Sequence, residues 1–184
     1  VEDIRKRYGA QVLGVGVNIL SDDQIKLMAK KSLEFLGHID ILVNNAGINI
    51  RKMPQDYTLT EWDEILDINL RGAFLCSQAV YPAMKASGKG KIINIGSMNC
   101  IFGGAKLAPY GASKAGIAQL TRSLAVAWAP IEGTPLAALA AVAVAQPQGP
   151  GLRSWLAMLM GATAGALVAA LARSIAQRRR LEAA

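Results

Sequence analysis

Residues 39–47 read IDILVNNAG, and this stretch decides the fold. Ile39 to Asn44 is a short apolar run with no polar face, as expected of a strand covered on both sides. It breaks into Asn44-Asn45-Ala46-Gly47. Small residues at a strand's carboxyl end let a ligand approach the backbone, and that edge is where open α/β sheets bind ligands. Taken alone, Asn-Ala-Gly is also a plain turn, so the reading depends on what flanks it.

Downstream, Lys91 to Ile95 (KIINI) repeats the buried-strand pattern. Between the two runs, Thr60 reads as the cap of a long helix through Trp62, Ile65, Leu66, Leu70, Phe74 and Ala79, reaching about Met84. Tyr110 to Trp128 reads as another helix. Upstream, Ser21 caps a helix through Phe35, with Ile25, Met28, Ala29 and Leu33 on one stripe and Gly37 as its stop. Gln11 to Asn18 (QVLGVGVN) is a β-branched run of strand length, and Val1 to Gly9 reads as the last turns of a helix ended by Gly9. Long helices alternating with short apolar strands predict an α/β fold, a doubly wound parallel sheet with helices on both faces.

At 184 residues the chain has the length of one ordinary domain. Two Cys and one His are too few for a zinc module or a disulfide scaffold, and no metal site is expected. The net charge of +7 is not one patch. From Val1 to Pro130, ten Lys and five Arg stand against eleven acids, with both signs interspersed as in a cytosolic enzyme. From Ile131 to Ala184 there are five Arg and two acids, no Lys or Asp, and sixteen Ala among 54 residues. Neither stretch clusters basic residues with stacking aromatics, which argues against nucleic-acid binding. The break divides the chain into 1–130 and an Ala-rich tail, 131–184, expected to be helical. The start at Val1, inside a helical pattern, reads as a cut terminus.

Three further features sit near the ends of these elements. Tyr110-Gly-Ala-Ser-Lys114 places Tyr110 and Lys114 at i and i+4, on one helix face. A phenol is a poor base at neutral pH, and a positive charge within about 4–6 Å favours its ionised form, so the pair can act as a general acid and base. Ser97 closes the KIINIGS strand and Asn69 lies within DINLRGAF; each is an ordinary structural choice by itself. His38, Cys76, Cys100 and the pair Asp22-Asp23 read as structural, and Trp62 and Phe74 as core or subunit interface.

Together IDILVNNAG, EWDEILDINLRGAFLCSQA, GKIINIGS and YGASKAGIAQLTRSLAVAWA, in that order from Val1 to about Trp128, resemble the short-chain dehydrogenase/reductase family. The resemblance implies a Rossmann-like sheet and hydride transfer between NAD or NADP and a secondary alcohol or ketone. It implies Tyr110 as the catalytic acid or base and Lys114 as the residue that eases its ionisation and holds the nicotinamide ribose. Ser97 would hydrogen-bond the reacting hydroxyl or carbonyl, and Asn69 would order a water linking Lys114 to solvent. Asn45, Ala46 and Gly47 would line the adenosine side, and Asn18 stands where the family usually has an adenine-contacting Asp. GSMNCIFGG after the second strand looks most like sugar, polyol or gluconate dehydrogenases, with 3-oxoacyl-carrier-protein reductases next. A cytoplasmic homo-oligomer acting on a small alcohol or ketone is the implied setting.

The chain also departs from the family. The glycine loop Thr-Gly-x-x-x-Gly-x-Gly that meets the pyrophosphate at a helix N-terminus does not precede the first elements, and Gly14-Val-Gly16 lies within a strand-like run. With strand order 3-2-1-4-5-6, the sheet is expected to be incomplete, with a gap or wrong neighbours, and the chain to bind dinucleotide poorly. The choice of NAD or NADP falls on that missing part. In Ile131–Ala184 the family's next strand, Pro-Gly turn and lid are not legible. The tail reads first as out-of-frame or chimeric sequence. Its second reading is a membrane helix over Trp155–Ala172 with Gly161-x-x-x-Gly165, and its third is a displaced glycine loop at LAMLMGATAGALVAALA. The competing function is a catalytically inactive, membrane-tethered or assembly module that reuses the Thr60 and Tyr110 helices.

Overall fold

The computed structural model describes residues 1–128 and the backbone of 137–141. Helix α1 (Glu2–Tyr8) closes on Gly9. Helix α2 (Asp22–Leu36) begins at Ser21, whose Oγ accepts the Gln24 N–H at 3.4 Å, and stops at Gly37 with φ 76°. That left-handed backbone carries no Cβ penalty in glycine, so the helix ends where the sequence places it.

Three parallel strands follow: β1 (Ile41–Asn44), β2 (Lys91–Ile95) and β3 (Ala137–Ala141), in the order β1-β2-β3. Ile41 stands opposite Lys91, and Lys91 opposite Ala137. The β1-to-β2 crossover consists of α3 (Leu59–Leu66), a π-helical turn (Asp67–Arg71) and α4 (Gly72–Ala86). Helix α5 (Ala108–Trp128) leads from β2 toward β3. Parallel strands need such crossovers, so the α/β reading holds and the sheet is incomplete. Its neighbours keep an unbroken sequence order.

The core cluster joins Ala29 of α2, Val80 and Met84 of α4, and Ile92 of β2, with Ile39, Leu42, Ala79 and Trp128 packed against it. The Trp128 ring stacks on Tyr81 with centroids 4.3 Å apart. Each fully buried Ile or Met is worth about 1.5–3 kcal/mol, more than a cap at about 1 kcal/mol, so this cluster holds the layers together. Val43 points to the opposite face and stays 44% exposed, so among the described residues the cover of that face is incomplete.

Five sequence expectations are corrected. Gln11–Asn18 does not form a strand. The Arg5 guanidinium donates to Val12 O and the Asn18 N–H donates to Gln24 Oε1, so side chains take backbone groups that a ladder would use. The crossover helix starts from Thr58 rather than Thr60, because Glu61 lies three residues on and closes a capping box with Thr58. It is not one continuous α-helix to Met84, since five residues form the π turn. Ala137–Ala141, expected within a helical tail, is extended and pairs with β2, whose backbone ladder accepts a strand of low intrinsic propensity. Trp62 and Phe74, each 37% exposed, are not part of the core. No described helix is long and apolar enough to cross a membrane, and Trp155–Ala172 and the glycine-loop echo lie outside the described residues.

Candidate active site

Each residue singled out in β1, β2 and α5 sits at or beyond the carboxyl ends of β1 and β2. Two carboxamides hold those strand ends in place. Asn44 Nδ2 donates to Asn94 Oδ1 at 2.8 Å and to Ser77 Oγ at 3.0 Å, and Asn94 Nδ2 donates to Thr121 Oγ1 at 2.9 Å. The network runs from α4 through β1 and β2 to α5, and Ser77, Asn94 and Thr121 are buried. Buried polar groups need such partners, and here every link joins two different elements.

Beyond β1, Asn45, Ala46 and Gly47 are exposed along the strand end. The next residue, Ile48, is gripped by Asn69 from both sides: its N–H donates to Asn69 Oδ1 at 2.7 Å, and its carbonyl accepts from Asn69 Nδ2 at 2.9 Å. Asn69 is 1% exposed, within the π turn, and also donates to Ser113 Oγ at 3.0 Å. The Ser113 hydroxyl in turn donates to Tyr110 O at 2.7 Å. π turns are short, uncommon distortions that often mark functional positions.

Lys114 is 6% exposed and donates from Nζ to Ile95 O, at the end of β2, at 2.8 Å. Its Nζ also lies 5.8 Å from the centre of the Tyr110 ring, within cation–π range. Burial lowers the Lys114 ammonium from its ordinary value, and the neighbouring Cys100 opposes that shift. A Cβ on Gly47 would stand 3.1 Å from Asn69 Oδ1 and 3.7 Å from Lys114 Nζ. Glycine there keeps a cradle open between the exposed strand end and the two polar groups.

Beyond β2, Ser97 is 3% exposed and opens a 3-10 turn (Met98–Cys100). Its Oγ donates to Asn99 Oδ1 and accepts the Asn99 N–H, both at 3.2 Å. This turn packs against α5, the helix that carries Tyr110 and Lys114.

The structure thus brings Gly47, Asn69, Tyr110 and Lys114 into one connected group and sets the Ser97 turn against the same helix. Asn18 lies in a local turn, its Oδ1 accepting the Leu20 N–H at 3.0 Å. The sequence singles out Cys100 only as structural and Asn44 only as part of a turn, and Asn94, Asn99, Ser113 and Thr121 carry no assigned role there. The signal for Asn44 and Asn94 was an amide at the same place in two otherwise apolar strand runs. Among the described residues no group of three His, Cys, Asp or Glu is placed to hold a metal ion.

Residues 1–143 match the short chain dehydrogenase family. Over 118 residues the chain is 39% identical to the BbsD subunit of a hydroxy(phenyl)methyl-succinyl-CoA dehydrogenase from Thauera aromatica, covering 64% of this chain and 47% of that protein. It is 37% identical over 125 residues to a 3-oxoacyl-acyl-carrier-protein reductase, FabG, of Staphylococcus epidermidis, covering 68% of this chain and 51% of that one. A gluconate 5-dehydrogenase from Burkholderia cenocepacia, solved with NADP and tartrate, superposes with a TM-score of 0.63 at 35% identity, covering 67% of this chain and 48% of that one. The chain spans about half the length of the curated relatives it matches.

Proposed function

Because the chain belongs to the short-chain dehydrogenase family, we propose that it contributes the proton-transfer half of an NAD(P)-dependent oxidoreductase interconverting a secondary alcohol and a ketone. The observation that carries this reading is the placement of Lys114. A buried ammonium is anchored to the end of β2, lies within cation–π range of Tyr110, and faces the cradle that Gly47 leaves open.

The polar set around that cradle suits a ribose, since Lys114 offers further donor hydrogens and Asn45–Gly47 presents accessible backbone. Lys114 would hold the nicotinamide ribose and Asn45, Ala46 and Gly47 the adenosine side. When bound, the dinucleotide supplies or accepts the hydride. The protein's part is the proton. In the reducing direction the Tyr110 hydroxyl gives its proton to the substrate oxygen, and the remaining phenolate is stabilised by the Lys114 charge. Ser97 turns its hydroxyl from Asn99 to the same oxygen and orients it. Asn69 fixes Ile48 behind Gly47 and keeps the cradle in shape. Substrates in scope are sugar- or polyol-like ketones and 3-oxoacyl thioesters, and the two free cysteines suit a reducing cytoplasm.

The test is Tyr110→Phe in the native polypeptide that carries these residues, assayed for ketone-dependent NADH or NADPH consumption. Turnover is expected to vanish with dinucleotide affinity nearly unchanged. Retained turnover in that variant would overturn the assignment.

A further inference from the structure

Ser97 and Lys114 belong to different elements, and productive geometry requires that they hold a fixed relation. The residue that joins them is Cys100. Its Sγ accepts the Ser97 N–H at 3.3 Å and gives its own hydrogen to the Lys114 carbonyl at 3.0 Å. We infer that Cys100 is a positioning residue, a thiol bridge that locks the Ser97 turn onto the helical turn of α5 bearing Lys114. The inference rests on the function proposed above and extends it to a residue that touches no reacting group.

Three observations support it. Cys100 stands at the third position of the 3-10 turn, the place from which a side chain reaches back to the N-cap amide, so Ser97 is held through its main chain. Its second bond leaves the turn and crosses 14 residues to α5. Asn99 meanwhile occupies the Ser97 hydroxyl on both sides, so backbone and side chain of Ser97 are fixed by consecutive residues of one turn. A thiol is a weak donor and a weak acceptor, and this one uses both capacities. Cys76, buried in α4, makes no comparable link among the described residues.

The test compares Cys100→Ala and Cys100→Ser. On the ligand-free chain, amide hydrogen exchange at Ser97 is expected to quicken about tenfold in Cys100→Ala, as a lost hydrogen bond would allow, and to return toward the original rate in Cys100→Ser, whose hydroxyl can make both bonds. In the native polypeptide, kcat should fall about tenfold or more in Cys100→Ala with little change in KM, and Cys100→Ser should recover most of it. Unchanged Ser97 exchange overturns the inference, and so does a drop in kcat that Cys100→Ser fails to rescue. If Cys100→Ala does not fold, Cys100→Val serves as the variant without hydrogen bonds. Turnover surviving Tyr110→Phe would defeat the proposed function, whereas the exchange measurement needs no turnover and decides the bridge separately.

Discussion

Asn44 and Asn94 occupy the same rung of the parallel ladder, and their side-chain amides meet at 2.8 Å. The pairing locks the register of β1 against β2. A slip of one residue would turn the slipped strand's amide to the other face, away from its partner amide on the neighbouring strand. Since Asn45–Gly47 begins one residue after β1, and Ser97 lies two residues after β2, this contact also sets how far each site segment stands from the other.

Replacing the central amide tests that role. In Asn94→Leu, Asn44 and Thr121 each lose their bond to the central amide while keeping those to Ser77 and Ile117, and the chain should lose about 0.5–1.5 kcal/mol of stability per bond removed. Urea denaturation reads the effect. An unchanged midpoint would show that the network does not hold the strands.

Gly47→Ala places a methyl group 3.1 Å from Asn69 Oδ1. Asn69 cannot retreat without releasing Ile48 on both sides. The expected outcome is a loss of about tenfold in kcat/KM for the native polypeptide, since small displacements at a catalytic centre are costly. Faster amide exchange at Ile48 should accompany it, with global stability little altered.

The Lys114 ammonium is lowered by burial, and the sign of its effect on stability follows. The unfolded chain keeps that proton up to the ordinary lysine value of 10.5, while the folded chain gives it up sooner. Between the two values the unfolded state binds more protons, so this residue makes stability rise with pH there. Below the folded value the burial penalty is present in full. Denaturant titrations on the alkaline side, up to pH 10.5, should show the rise. Lys114→Met should flatten it and abolish turnover.

The start of α3 gives a local test. Thr58→Ala removes the capping box and should cost about 1 kcal/mol. Thr60→Ala, at an exposed position inside the helix, should stay within about 0.5 kcal/mol. Equal effects would contradict the cap assignment.

Several elements were legible from local pattern alone. Ser21 and Gly37 bound α2, and KIINI marks β2, because caps and buried apolar runs act within a few residues. Tyr110 and Lys114 share a helix face for the same reason. What escaped depends on distant partners. Gln11–Asn18 has strand composition, but a strand exists only where another backbone completes its ladder. Ala137–Ala141 has the reverse history, a poor strand sequence recruited by β2. Asn94 is 50 residues from Asn44 and 27 from Thr121, so nothing near it in sequence announces its bonds. The Cys100 bridge is hidden likewise, since a cysteine in a short turn looks incidental until Lys114 is folded against it.

The π turn at Asp67–Arg71 acts as a phase shifter. One extra residue in a helical turn offsets everything beyond it by about 100° around the axis. The segment before it, α3, packs against α5, whereas the segment after it, α4, packs against α2 and β1. A single crossover therefore serves two sets of neighbours that an uninterrupted helix would present on the wrong sides. Asn69 sits at the point of rotation, so the same offset that apportions the apolar faces also aims the amide at Ile48.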